Sequence, residues 1–129
     1  MEVQLRAALI AWLAADPALA GTLNAVVEEA PVRVALPWLA IAASASADWS
    51  TKDRTGREVR VALELHCRGD RPDSAAALVG AIERRVATLP VVQPGYRVVS
   101  IQFLRARAEQ RPANTRAVLI EYRFRVLSD

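Results

Sequence analysis

The sequence predicts an α+β fold, one mostly antiparallel sheet of four to five strands with two helices packed on one face. Three observations lead there. Residues 59–67 and 118–126 alternate apolar and polar side chains with a period of two, whereas residues 5–13 and 75–89 repeat apolar side chains at helical spacing. The elements run helix, short strand, two long strands, helix, two strands, with no internal repeat or low-complexity tract. At 129 residues the chain fits a single domain, 1–129, large enough to bury one core without disulfides or a metal.

Residues 3–15 read as a helix with Leu5, Leu9, Trp12 and Leu13 on one face, ended by Asp16-Pro17. A short apolar piece follows at Leu23 to Val27. Trp38 to Trp49 contains enough alanine to favour helix, but Pro37 before it, the Ser-Ala alternation and the polar loop after it favour a strand. From Val59 the odd positions Val59, Val61, Leu63, Leu65 and Cys67 share a core face. Glu58, Arg60, Glu64, His66 and Arg68 share the other. A second helix starts near Asp70 to Ser74, where Asp70, Pro72, Asp73 and Ser74 supply capping chemistry. It turns Ala75, Leu78, Val79, Ile82, Val86 and Leu89 inward and Glu83, Arg84 and Arg85 towards solvent, closing at Leu89-Pro90. Arg97 to Arg107, with Val99, Ile101 and Phe103 alternating, and Arg116 to Leu127, with Val118, Ile120, Tyr122, Phe124 and Val126 alternating, form an antiparallel hairpin across the polar loop Ala108 to Thr115.

Hydrophobic residues make up 53% of the chain, but alanine supplies much of that fraction and buries far less apolar area than leucine or isoleucine. The core is expected to be modest, one that a partner would usefully extend. The single cysteine rules out an internal disulfide and fits a reducing cytoplasm. The N-terminal stretch imitates a signal peptide only faintly, because Glu2 occupies the basic region and Asp16-Pro17 interrupts a cleavage site. The longest apolar candidate, Val34 to Ala47, is broken by Pro37 and falls short of the ~18 residues a membrane span needs, so no membrane partner is expected. The formal charge of +3 is uneven. Residues 97–129 hold seven arginines against Glu109, Glu121 and Asp129, a net of +4, which leaves −1 for the rest. All basic residues except Lys52 are arginine, whose planar fork suits bidentate pairing at interfaces.

Little of this points to catalysis. His66 and Cys67 are adjacent in a strand and point to opposite faces, so they cannot form a base and nucleophile pair; Cys67 reads as a buried small hydrophobe and His66 as an interface residue. One histidine and one cysteine cannot build a zinc cluster by themselves. Glu28-Glu29 and Asp70/Asp73 read as loop and helix-start chemistry rather than an acid/base pair. Gly21, Gly56, Gly69, Gly80 and Gly95 are isolated, so no phosphate cradle occurs, and no cofactor or enzymatic activity is expected. Tyr122 and Phe124 fall on the core face and offer no stacking platform for nucleic acid.

Taken in order, LRAALIAWLAADPAL, Ala30-Pro31 with Leu36-Pro37-Trp38 entering a strand, ADWSTKDRTGREVRVALEL, SAAALVGAIERRV and TRAVLIEYRFRV resemble the phage tail-completion family, the tail-terminator proteins of long-tailed phages and gene transfer agents. The DWST loop followed by GRE and an alternating strand carries most of the likeness. Two positions depart from the pattern: His66-Cys67 stands where an aromatic often ends the long strand, and Trp38 follows Pro37 where tyrosine is usual.

The resemblance implies a structural protein and not an enzyme: a ring, usually a homohexamer, that caps the tail tube, stops its polymerisation and joins it to the head neck. The implied partners are further copies of the chain, the tail-tube protein and a head-neck stopper or connector, with DNA only passing through the lumen. The implied location is the cytoplasm of the producing bacterial cell during assembly, then the neck of the particle. Expected interface residues are Trp38, Asp48, Trp49, Thr51, Lys52, Asp53, Arg54, Arg57, Arg60 and Arg123, with the loop Ser50 to Arg57 as an arm onto the adjacent subunit or the tube and Asp48, Arg57, Arg60 and Arg123 expected on the polar outer face of the sheet. In a ring, most arginines are expected to pair across interfaces rather than line the lumen. Two alternatives remain at this point, another neck component such as a head-closure protein and a small-ligand-binding α+β domain.

Overall fold

The computed structural model describes residues 1–70 and 72–129. Helix α1 (Glu2–Ala14) places Leu5, Leu9 and Leu13 on one buried line, since residues four apart stack on the same helical face. Asp16-Pro17 does more than end it. The Asp16 carboxylate accepts the Leu19 N–H at 3.1 Å and Pro17 takes the first helical position, so the pair opens a third, four-residue helix, α2 (Pro17–Ala20), which buries Leu19. There follow β1 (Val26–Val27), β2 (Trp38–Asp48), β3 (Gly56–Arg68), α3 (Pro72–Ala87), β4 (Val92–Gln93), β5 (Tyr96–Arg111) and β6 (Thr115–Ser128).

The six strands form one sheet in the order β1-β2-β3-β6-β5-β4, antiparallel throughout except for β1 beside β2. The strands beyond the predicted four or five are two residues long, too short to show any periodicity. Strand β3 pairs with β6 along its whole length, from Gly56 opposite Leu127 to Arg68 opposite Thr115. This central pair aligns the two alternating patterns. Val59, Val61, Leu63 and Leu65 meet Phe124, Tyr122, Ile120 and Val118 across the ladder, all buried. Helices α1 and α3 cover that face, α3 burying Ala75, Leu78, Ile82 and Val86, with Leu89 just beyond its end. Each large apolar side chain so buried stabilises the fold by about 1.5–3 kcal/mol.

Three expectations need correction. Val99 does not share a face with Ile101 and Phe103. A bulge between Val98 and Ser100 keeps Val98 opposite Val126 and Ile101 opposite Phe124, both on the core face, and turns Val99 out to 48% exposure. The predicted polar loop Ala108 to Thr115 is mostly strand. Only a tight turn remains, with Ala113 and Asn114 at positive φ (60° and 54°), and the ladder continues to Arg111 opposite Thr115. Arg85 does not point to free solvent. It donates from Nε to the Trp12 carbonyl at 2.7 Å, receives the Trp12 indole N–H on its own carbonyl at 2.8 Å and lays its guanidinium 3.4 Å from the Trp12 ring centre. That reciprocal clasp ties the end of α1 to α3 and satisfies a last-turn carbonyl.

Candidate functional site

Among the described residues, no helix covers the sheet face opposite α1 and α3. Strand alternation brings to it Trp38, Ala40, Ala43, Ala45 and Ala47 from β2, Glu58, Arg60, Ala62, Glu64 and His66 from β3, Leu119, Glu121, Arg123 and Arg125 from β6, and Ser100, Gln102, Arg105, Arg107 and Glu109 from β5. A polar face of this kind is either solvated or pressed against other subunits.

Its charges form a lattice within the chain. Arg105 grips Glu121 with both arms of its fork, at 2.8 and 3.2 Å, and the guanidinium holds the Glu121 carboxyl below the usual carboxylate range. Arg123 reaches Glu58 at 3.2 Å and also donates to Gln102, while Arg125 stands 3.8 Å from Glu58. Arg107 and Arg111 both meet Glu109 at 2.9 Å. Five arginines therefore already have carboxylate partners in their own chain, where the sequence led to an expectation of partners on neighbouring copies. Arg60 has no carboxylate within ion-pair distance among the described residues, and it is exposed in the middle of the face.

The expected interface residues fall into three groups. Asp48, Trp49, Thr51, Lys52, Asp53, Arg54 and Arg57 gather at the hairpin end joining β2 to β3. Asp48 and Arg57 face each other across the ladder, on the helix-bearing side of the sheet and not on the outer face expected for them, because they keep step with Ser46 and Val59. Arg60 and Arg123 are cross-strand neighbours on the outer face. Trp38 lies at the far end of β2, ten residues and roughly 33 Å from Asp48. It is half-buried and stacked on His66 with ring centres 4.0 Å apart, and His66 hydrogen-bonds to Glu64.

The hairpin loop is self-supporting. The Ser50 hydroxyl donates to Asp48 at 2.6 Å and accepts the Gly56 N–H at 3.0 Å, and the Trp49 N–H donates to the Gly56 carbonyl at 3.0 Å. Thr51 and Arg54 close a second turn, the Thr51 N–H donating to the Arg54 carbonyl at 2.9 Å and the Thr51 hydroxyl accepting the Arg54 N–H at 3.1 Å. The loop thus holds its shape while Thr51, Lys52, Asp53 and Arg54 remain exposed. Gly56 and Arg57 belong to β3 and not to the loop. Gly56 sits where a side chain cannot: a Cβ there would lie 2.4 Å from the Trp49 carbonyl oxygen and 2.7 Å from a Leu127 methyl. This packing is why glycine follows the DWST loop, a signal visible in the sequence only as an isolated glycine.

Sequence reasoning missed an apolar groove of about 740 Å³ between α2 and α3, with Leu19, Pro37, Cys67, Leu78 and Ala81 along it and Arg68, Asp70 and Arg84 among its polar lining. Cys67 is buried, and burial pushes its thiol up from the ordinary value, away from the thiolate a nucleophile needs. No group of three or more His, Cys, Asp or Glu side chains is placed to hold a metal ion among the described residues. No helix among them is long and apolar enough to cross a membrane.

An ion-paired sheet face beside an exposed, hydrogen-bonded loop is a surface suited to contact with other chains. The family model described as tail completion protein gp17 matches residues 7–127, and the chain belongs to that family. Among solved structures, the chain is similar to one from the virion of a native gene transfer agent particle. The two share 25% identity and a TM-score of 0.82, covering 98% of this chain and 97% of that one. No curated protein matches. A structural role in a phage-type tail, in association with other components of the particle, follows from the family.

Proposed function

We propose that this chain is the tail terminator of a phage-like particle, forming a ring of six copies that caps the completed tail tube, stops its polymerisation and presents its other side to the neck proteins of the head. The observation that carries this reading is the outer face in a member of the tail completion family: a lattice of charges from Glu58 to Arg125 on a sheet face that no helix shields among the described residues. The likeness along nearly the whole chain to a component of a gene transfer agent virion supports it. Assembly takes place in the cytoplasm of the producing bacterial cell, after which the ring resides at the head-tail neck. Its partners are other copies, the tail-tube protein and a neck stopper or connector, while DNA passes through the lumen without being bound.

Within this reading Trp49, Thr51, Lys52, Asp53 and Arg54 form the arm onto the adjacent subunit or the tube, and Arg60 and Arg123 lie on the contact face. Deleting residues 51–55 removes the exposed part of the loop and leaves both flanking strands, so the expected product is a folded monomer that cannot assemble. Assembly at the native level would refute the role of the arm. The reading as a whole is tested by the mass of the purified protein, alone and mixed with tail-tube subunits. A sixfold mass in either sample supports the ring. A monomer that ignores tube subunits but binds a portal-side partner would make the chain a head-closure component instead.

A further inference from the structure

The sheet is unfinished at both ends. At one end β1 pairs with Leu39 and Ala40 only, so β2 from Ile41 to Asp48 has no strand on its outer side among the described residues. At the other end β4 pairs with Tyr96 and Arg97 only, leaving β5 open from Ser100 to Arg111. Open edges normally carry charges, prolines or bulges that discourage pairing with another chain. Strand β5 carries such features, Arg105, Arg107 and Arg111 and two bulges, so only a partner edge with small side chains leaves room for it. The free part of β2 has one bulge, between Ile41 and Ala43, but beyond it nothing of the kind: Ala42 to Ala47, AASASA, is exposed throughout and has neither charge nor proline. Along this ordered, exposed strand, alternate residues between Ala42 and Asp48 turn their backbone N–H and C=O groups away from β3 and offer them to a partner.

The topology identifies that partner. Strand β2 runs antiparallel to β3, β3 to β6 and β6 to β5, so β5 runs antiparallel to β2 from the opposite end of the sheet. A second copy set beside the first without being turned over therefore brings its β5 against β2 as the next antiparallel strand, and its helices stay on the same side. The side chains also fit. On the outer face Ala43, Ala45 and Ala47 leave room for the longer Gln102, Arg105 and Arg107. On the helix side Ser44 and Ser46 would meet Phe103, which is 47% exposed in the single chain.

We propose that β2 of one copy and β5 of the next join edge to edge as antiparallel strands, so that a continuous sheet runs through the assembly and backbone hydrogen bonds close it. Such a contact is head-to-tail, uses two different surfaces of each subunit and closes into a ring when the rotation per copy divides a full turn. The inference rests on the ring reading and adds how neighbours are held.

The test uses the full-length protein under conditions in which the unmodified chain assembles. Ala45→Cys is combined in turn with Ser100→Cys, Gln102→Cys, Arg105→Cys and Arg107→Cys, a set that spans the stagger a closed sheet requires. Within one chain β3 and β6 separate the two positions by about 14 Å, beyond the reach of a disulfide. Any linkage is therefore between copies. The expected result is that one pairing oxidises to a covalent ladder ending at the ring mass, while Ala45→Cys alone does not. Hydrogen exchange of the unmodified protein supplies a second readout, with the outward-facing amides between Ala42 and Asp48 slowing by about a hundredfold on assembly. Rings that form with no linkage in any pairing and with those amides still exchanging freely would overturn the edge contact and leave the ring reading standing. Protection that appears only when tube subunits are added, with no linkage between copies, would assign the edge to the tube and likewise overturn it. If the unmodified protein never assembles, the ring reading fails first.

Discussion

Gly56 gives the sharpest check on the local physics of the hairpin that carries the exposed loop. A methyl group there would lie 2.4 Å from the Trp49 carbonyl oxygen, against an ordinary contact of at least 3.4 Å, so one strand end must retreat by 1 Å. The retreat strains the hydrogen bonds from Trp49 N–H to the Gly56 carbonyl and from Gly56 N–H to the Ser50 hydroxyl, both 3.0 Å long. Overpacking of this kind costs about 1–3 kcal/mol, and losing one hydrogen bond adds about 1 kcal/mol. Gly56→Ala is therefore expected to destabilise the chain by about 2–4 kcal/mol, or about 8–16 °C in Tm for a domain of this size. Gly80→Ala is the internal control. Its methyl group meets only the end of the flexible Arg84 side chain, at 3.3 Å, and the site lies within α3, so the change should stabilise by about 0.5–1 kcal/mol. Thermal unfolding followed by circular dichroism separates the two substitutions. A Gly56→Ala protein within about 0.5 kcal/mol of the parent would refute the steric account.

Other perturbations follow from the same packing. Arg85→Ala removes a charged hydrogen bond and a cation–π contact at a half-buried site and should cost about 2–3 kcal/mol in urea unfolding, with Arg85→Lys intermediate because it keeps the charge but loses the fork; equal stability of all three proteins would contradict the clasp. The Cys67 thiol should resist alkylation in the native protein at pH 8–9 and react at once in denaturant, and because its folded pKa is raised, this burial should begin to cost stability as pH climbs past the ordinary thiol value of 9.0; fast native labelling would place it on the surface instead. Ala113→Gly relieves a non-glycine residue held at φ 60° and should leave stability unchanged or raise it by up to about 1 kcal/mol, measured by the same unfolding curves; a loss of more than about 1 kcal/mol would show that the alanine methyl packs in the turn.

Much of the fold was legible because its long elements obey one period each. The alternation of Val59 to Cys67 and of Val118 to Val126, and the four-residue rhythm of Leu5, Leu9 and Leu13, survive unchanged in the structure. The sequence misled where a single residue breaks the period or a side chain acts at long range. One extra residue at the Val98–Ser100 bulge moves Val99 to the wrong face, and no local pattern marks a bulge. Arg85 looks like any solvated arginine until α1 brings Trp12 beneath it. Asp48 and Arg57 were grouped with Arg60 by their polarity, yet strand parity puts them on the helix-bearing face. The open edge of β2 was least legible of all, because AASASA reveals nothing about which strands lie beside it until the sheet order is known.

The most direct measurement of the proposed function is electron microscopy of tail-tube subunits polymerised with and without this protein. Tubes of uniform length, each ending in a six-fold ring that averages to the density of this chain, are the expected result. Tubes that grow to the same lengths in its presence, with bare ends and free monomer in the background, would contradict the terminator reading.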